Sequence, residues 1–136
     1  MSLTSKPEDK FGCKRCWPVS AKAAWAARGT LAREARLIDE SHLIVTVLCC
    51  SACGQRFLSV FAEEVDWVDG DDPQYWALMP LTRQEAADLV HNGGSLGEEE
   101  AASLGPERRS LRRDYPKGVD KASVYWSSGI SIRLHD

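Results

Sequence analysis

Two C-x-x-C pairs, Cys13-Lys14-Arg15-Cys16 and Cys50-Ser51-Ala52-Cys53, constrain this chain more than any other feature. Two thiolates three positions apart on a tight turn converge on one ion, with backbone N–H groups of the turn aimed at the sulfurs. Two such turns close a tetrahedron, the geometry in which four thiolates hold Zn²⁺ at about 2.3 Å per bond. Gly54, directly after the last thiol, suits the left-handed conformation that such a turn needs. Four thiolates around Zn²⁺ leave a surplus of negative charge, and Lys14, Arg15 and Arg56 are placed to offset it. The predicted ligands are therefore Cys13, Cys16, Cys50 and Cys53, holding one structural zinc. The same residues read as buried free thiols or as redox dithiols remain open alternatives. The fifth cysteine, Cys49, falls by alternation on the opposite strand face from Cys50, and a buried strand thiol is the expectation there.

Cys50-Ser51-Ala52-Cys53-Gly54-Gln55-Arg56-Phe57 resembles the zinc knuckle and following strand of the zinc-ribbon group of small metal domains. Phe11-Gly12-Cys13-Lys14-Arg15-Cys16-Trp17-Pro18 supplies the other knuckle, with Trp17 where glycine is common. The resemblance covers about residues 11–62 and implies a structural four-cysteine site. Rubredoxins are similar in holding one ion between two C-x-x-C knuckles, which makes iron and electron transfer the alternative metal chemistry. The knuckle proline and glycine of rubredoxins are absent here apart from Gly54.

The five cysteines, odd in number and tightly clustered, fit a disulfide framework poorly, and residues 1–10 form a polar leader without an apolar core. The expectation is a reduced, cytoplasmic protein. The longest apolar run, 43–50, is far short of the ~20 residues of a membrane span. A formal net charge of −3 argues against a protein coated in nucleic acid through bulk positive charge.

Ala24, Ala27, Leu31, Ala35 and Ile38 fall at steps of three and four, the period of a helix, but Gly29-Thr30 interrupts them. The spacing predicts a helix over 20–28, with residues 35–38 starting a strand. Strands are predicted at 42–49 and 55–62, rich in β-branched and aromatic residues, joined by a hairpin turn that holds the second cysteine pair. A third is predicted at 75–78. Thr82-Arg83-Gln84-Glu85 is a capping box and opens a helix over 83–92, with Gly93-Gly94 at its end. Residues 95–105 have room for a short helix. Val124, Trp126, Ile130, Ile132 and Leu134 alternate as in a last strand or hairpin.

Glu63, Glu64, Asp66, Asp69, Asp71 and Asp72 crowd one acidic stretch, with Trp67 inside it and Tyr75 and Trp76 just after. Read as function, Glu63, Glu64, Asp66, Trp67, Asp69, Asp71, Asp72 and Trp76 form a docking face for a protein partner, charge steering the encounter and aromatics anchoring it. Read as structure, the stretch is a solvated loop beside packed core aromatics. Its spacing does not match a calcium loop. Arg108, Arg109, Arg112 and Arg113 fit helical spacing as one basic stripe, which would touch phosphates with Tyr115 or Trp126 stacking on bases, or else pair with the acidic loop. His42, His91 and His135 are scattered, and no nucleophile–base order, phosphate loop or H-E-x-x-H is visible.

Together these readings predict an α+β domain over 11–136. A small antiparallel β-sheet carries the four-cysteine zinc-knuckle hairpin in the ribbon-like part at 11–62. Two or three helices accompany it, and a helix-and-strand part follows at 80–136. The expected function is a non-enzymatic, zinc-stabilised module that binds another protein. Nucleic-acid binding through the arginine stripe is the alternative from another class, and an iron electron carrier the third.

Overall fold

The computed structural model describes residues 11–64, 67–68, 70, 72–92 and 96–132. The chain is α+β, and its described residues form six antiparallel strands and three helices in the order α1 (Ala21–Arg28), β1 (Ala32–Glu40), β2 (Leu43–Cys49), β3 (Arg56–Glu63), β4 (Gln74–Leu81), α2 (Arg83–His91), α3 (Glu98–Ala102), β5 (Arg109–Tyr115) and β6 (Ser123–Ser128). The sheet is a meander, each strand pairing with the next in the order β1-β2-β3-β4-β5-β6. Among the described residues no helix is long and apolar enough to cross a membrane.

The sheet carries a core on each side, and strand alternation sorts its residues between the two. On one side Leu43, Val45, Val47, Leu58, Val60 and Met79 meet Ala86 of α2, Ala101 of α3 and Ile130 and Ile132 of the final segment. On the other, Phe57, Leu78 and Leu111 meet Ala24 of α1 together with Cys16 and Cys50. Cys16 and Cys50, with Cys13 packed against them, thus belong to a core, while Cys53 lies exposed at its rim.

Local rules fix most of these elements. Ser20 caps α1, its hydroxyl accepting from Ala23 N–H at 3.3 Å. Gly29-Thr30 ends that helix: Thr30 N–H donates to Ala27 and Leu31 N–H to Arg28. β1 then forms from Ala32-Arg33-Glu34-Ala35-Arg36, good helix formers, because tertiary pairing with the apolar β2 outweighs propensity. It is an edge strand, and two register shifts, between Arg33 and Ala35 and between Arg36 and Ile38, with exposed charged side chains guard that edge. The capping box of α2 is complete: Thr82 Oγ1 accepts from Glu85 N–H at 3.1 Å, and Glu85 Oε1 accepts from Thr82 N–H at 2.9 Å.

One expectation is overturned here. Arg108, Arg109, Arg112 and Arg113 do not share a helical stripe, since Arg109–Tyr115 is strand β5, paired between β4 and β6. A period of two sends Arg109 and Arg113 to the α1 side and Arg112 to the other. Arg109 lies over Trp126 at 4.0 Å, and Arg113 over Trp76 at 4.5 Å. Arg112 donates to the carbonyl oxygen of Gly129 at 3.0 Å. Arg108, just before the strand, pairs with Glu85 at 2.6 Å.

Candidate metal centre

The first thiol pair sits in the segment leading into α1, and the second forms the β2–β3 turn. In the first knuckle Trp17 N–H donates to the carbonyl oxygen of Cys13 at 2.8 Å, and in the second Gly54 N–H donates to that of Cys50 at 2.8 Å. Cys50 N–H bonds to the Gln55 carbonyl at 2.9 Å and closes the hairpin. Both turns place a glycine in the left-handed region, Gly12 at φ 72° and Gly54 at φ 80°.

The four sulfurs lie within 4.8 Å of one another. The Cys13–Cys16 separation is 3.7 Å, Cys13–Cys50 4.0 Å and Cys16–Cys53 3.7 Å. Four ligands at about 2.3 Å from a central ion stand about 3.8 Å apart on the edges of a tetrahedron. The cluster therefore has the dimensions of a four-thiolate metal site, closed on all sides by protein ligands. Cys13 N–H is 3.3 Å from Cys16 Sγ, the backbone-to-sulfur contact that such turns supply.

The thiols differ electrostatically. Backbone N–H groups of Cys16 and Arg15 draw the Cys13 thiol down from 9.0 to about 7. Burial pushes Cys16 well above the usual thiol range and raises Cys53 too. Four thiolates this close repel one another, so a cation in their midst is what lets all four ionise together.

Gln55 ties the two turns to the sheet. Its Oε1 accepts from Gly12 N–H at 2.9 Å, and its Nε2 donates to the Leu81 carbonyl at 2.7 Å. Sequence reasoning overlooked Gln55 and Gly12, because neither carries a ligand atom and the two lie 43 positions apart. Trp17, in the place of a knuckle glycine, packs on Phe57 at 5.3 Å and edge-on to Trp126 at 5.0 Å. Of the cations expected to offset the cluster, Lys14 and Arg15 lie exposed on the first knuckle. Arg56 is engaged by Glu34 at 3.0 Å. Cys49 is not part of the cluster; its Sγ is 3.7 Å from the carbonyl oxygen of Cys50.

The other predicted residues are spread. Glu63 receives His42 Nδ1 at 3.3 Å and Gln74 Nε2 at 2.9 Å, so it braces the end of the sheet. Glu64 is exposed, as are Trp67 and Val68, each 89% accessible, while Asp72 is half-buried. Asp66, Asp69 and Asp71 lie outside the described residues, as do Gly93, Gly94, Leu134 and His135. Trp76 is half-buried, tilted on Phe61 at 4.9 Å and edge-on to Trp25 at 5.7 Å. It belongs to a cation–aromatic stack in which Arg28 and Arg113 both lie 4.9 Å from the Trp25 ring.

Compared with family models, with curated proteins and with solved structures, the chain finds no match. Its class is thus defined by geometry alone: an α+β meander with a metal-type cluster of four cysteines at the junction of its first knuckle and its central hairpin.

Proposed function

We propose that this protein is a non-enzymatic interaction module whose fold is held by one Zn²⁺ on Cys13, Cys16, Cys50 and Cys53, and that it binds a protein partner through the β3–β4 connection. The exposure of Trp67 and Val68 carries the reading. Trp17, Trp25, Trp76 and Trp126 all stack on other rings, whereas Trp67 is 89% accessible among acidic neighbours. An exposed indole in an acidic stretch of sequence is the composition of an anchor that enters an apolar pocket ringed by basic residues. A closed four-thiolate site leaves zinc no open position for water, so the ion serves stability rather than catalysis. The ribbon-like knuckles favour zinc over iron, and the reducing cytoplasm is the compartment in which such thiols persist.

The test pairs elemental analysis with cross-linking. The purified protein should contain one equivalent of zinc and be colourless. A photo-crosslinker placed at Glu64 should capture a discrete partner, and Trp67→Ala should reduce that capture at least tenfold in a protein with an unchanged circular dichroism spectrum. Undiminished capture by Trp67→Ala refutes the interface, and a visible iron–thiolate band refutes the metal.

A further inference from the structure

The α1 side of the sheet is only partly covered. α1 lies over β5 and β6, and beyond it a groove of about 530 Å³ opens over β2, β3 and the start of β4. Its floor is Thr46, Ser59, Ile44, Phe61 and Trp76, and its rim is made of three arginines, Arg28 from the last turn of α1 and Arg33 and Arg36 from β1. Register explains the arrangement. Arg36, Thr46, Ser59 and Leu78 form one cross-strand row, and Ile44, Phe61, Trp76 and Arg113 form the next. Phosphate-type ligands are thus offered guanidinium groups at the edges, and flat ligands are offered the half-buried rings of Phe61 and Trp76 on a floor whose Thr46 and Ser59 are buried.

The charge of this groove is poorly compensated from within. Glu34, the carboxylate adjacent to Arg33, is committed to Arg56. Asp39 reaches Arg36 at 3.5 Å but is 69% exposed, a pair of small worth. Among the described residues neither Arg28 nor Arg33 has a carboxylate partner. Arg28 is further pressed by burial and by the nearby Arg113, while the Trp25 ring, 4.9 Å from each guanidinium, attracts both. Arginines remain charged regardless, so this wall attracts anions in a protein whose overall charge is −3.

We propose that this groove binds single-stranded nucleic acid, its phosphates on Arg28, Arg33 and Arg36 and a base stacked at Phe61 and Trp76. Several observations favour a strand over a free nucleotide. A nucleotide site is commonly built from backbone N–H groups at a glycine-rich loop. Here the anion-binding groups are long side chains set apart along two walls of an open groove. An open groove with half-buried aromatics on its floor and peripheral arginines suits successive nucleotides of an unpaired strand. A duplex, whose bases are hidden, has no use for the aromatic floor. The surface is distinct from the Trp67 connection, so the two proposals stand or fall separately.

The test uses the full zinc-loaded chain and a fluorescein-labelled twelve-nucleotide oligouridylate, with fluorescence anisotropy as readout. Three phosphate contacts on a single strand give a slope of log K against log salt of about −2. Arg33→Glu with Arg36→Glu should weaken binding at least tenfold and flatten the slope towards about −0.7, the value for one remaining contact. Arg33→Gln with Arg36→Gln, which disturbs the strand less, should lose affinity in the same direction. Arg83→Glu with Lys121→Glu removes equal charge away from the groove and should cost less than threefold. The proposal is overturned if the wild-type chain does not bind the oligonucleotide. It is equally overturned if the distant charge reversals cost as much as those in the groove, if a duplex of equal length binds better, or if uridine monophosphate competes at equimolar concentration.

Discussion

Gly12→Ala and Gly54→Ala form a pair of substitutions that isolates the packing of the first knuckle. Both glycines have positive φ, 72° and 80°. Both alanines would bear the left-handed cost of about 1–2 kcal/mol, and both would share the gain of about 0.4–1 kcal/mol from a stiffer unfolded chain. They differ in surroundings. A Cβ on Gly54 meets nothing within 4 Å, whereas one on Gly12 would sit 2.6 Å from Trp17 Cβ and 3.1 Å from Cys16 Sγ. Trp17 has little room to retreat, since its ring is held between Phe57 at 5.3 Å and Trp126 at 5.0 Å. Any shift of Gly12 instead strains its 2.9 Å bond to Gln55. Forcing an extra carbon into such a site costs about 1–3 kcal/mol. With a urea m value of about 1–3 kcal/mol/M, the Gly12→Ala midpoint should fall below that of Gly54→Ala by about 1 M. Because Cys16 is in the clash, zinc should also be lost to a competing chelator at least tenfold more readily from Gly12→Ala, a factor that corresponds to about 1.4 kcal/mol. Midpoints equal within about 0.1 M on that m-value scale, with equal zinc retention, would refute the packing argument.

Two further outcomes follow from the same structure. Burial pushes the Glu85 carboxyl up, but the Arg108 guanidinium and the Thr82 N–H outweigh it and hold it below its ordinary 4.5. A folded value below the unfolded one means stability that is complete above about 4.5 and lost as pH falls through the folded value, so the urea midpoint of the wild type should drop more steeply than that of Glu85→Gln between about pH 5 and pH 3; parallel curves would sink this linkage. Cys50→Ser should abolish stoichiometric zinc and lower the thermal midpoint sharply, structural zinc being worth about 10–16 kcal/mol of apparent binding free energy, while Cys49→Ser keeps one equivalent; equal zinc loss in both would overturn the ligand assignment.

What could be read from the sequence was whatever local chemistry decides. The C-x-x-C pairs announce their own cluster, because the ligand atoms and their spacing are both written in the chain. The capping box at Thr82 and Glu85 and the β-branched run Ile44-Val45-Thr46-Val47 likewise set α2 and β2 on local grounds. β5 was missed for a physical reason. Arg108, Arg109, Arg112 and Arg113 fit a helical period, but Arg109, Leu111 and Arg113 fit a period of two equally well. What decides between them is remote: the rings beneath Arg109 and Arg113 come from Trp17, Trp25, Trp76 and Trp126. Only those partners make a guanidinium at home on a half-buried sheet face, and no local pattern reveals them. Strand β1 hid similarly, since its edge is made by the demand of β2 for a neighbour rather than by its own residues.

The position of α1 joins the metal site to the arginine groove. The helix has 8 residues, fewer than the ~12–15 at which an isolated helix becomes even marginally stable, and Ala24 alone of them is fully buried. Something other than its own propensity must keep it on the sheet. Trp126 Nε1–H donates to the Val19 carbonyl at 2.9 Å just before the helix, and Trp25 of the helix packs edge-on to Trp76 of β4 at 5.7 Å. Trp17 directly follows a cluster cysteine, so the thiol cluster anchors the segment that feeds α1, joining it to the β2–β3 turn through Cys50 and Cys53. Arg28, one wall of the groove, stands on the last turn of that same helix. Holding four sulfurs together at one end therefore fixes where a guanidinium stands at the other. An ion held by these four sulfurs would therefore do more than stabilise a small core: it would help to set the width of the surface that the sheet leaves open.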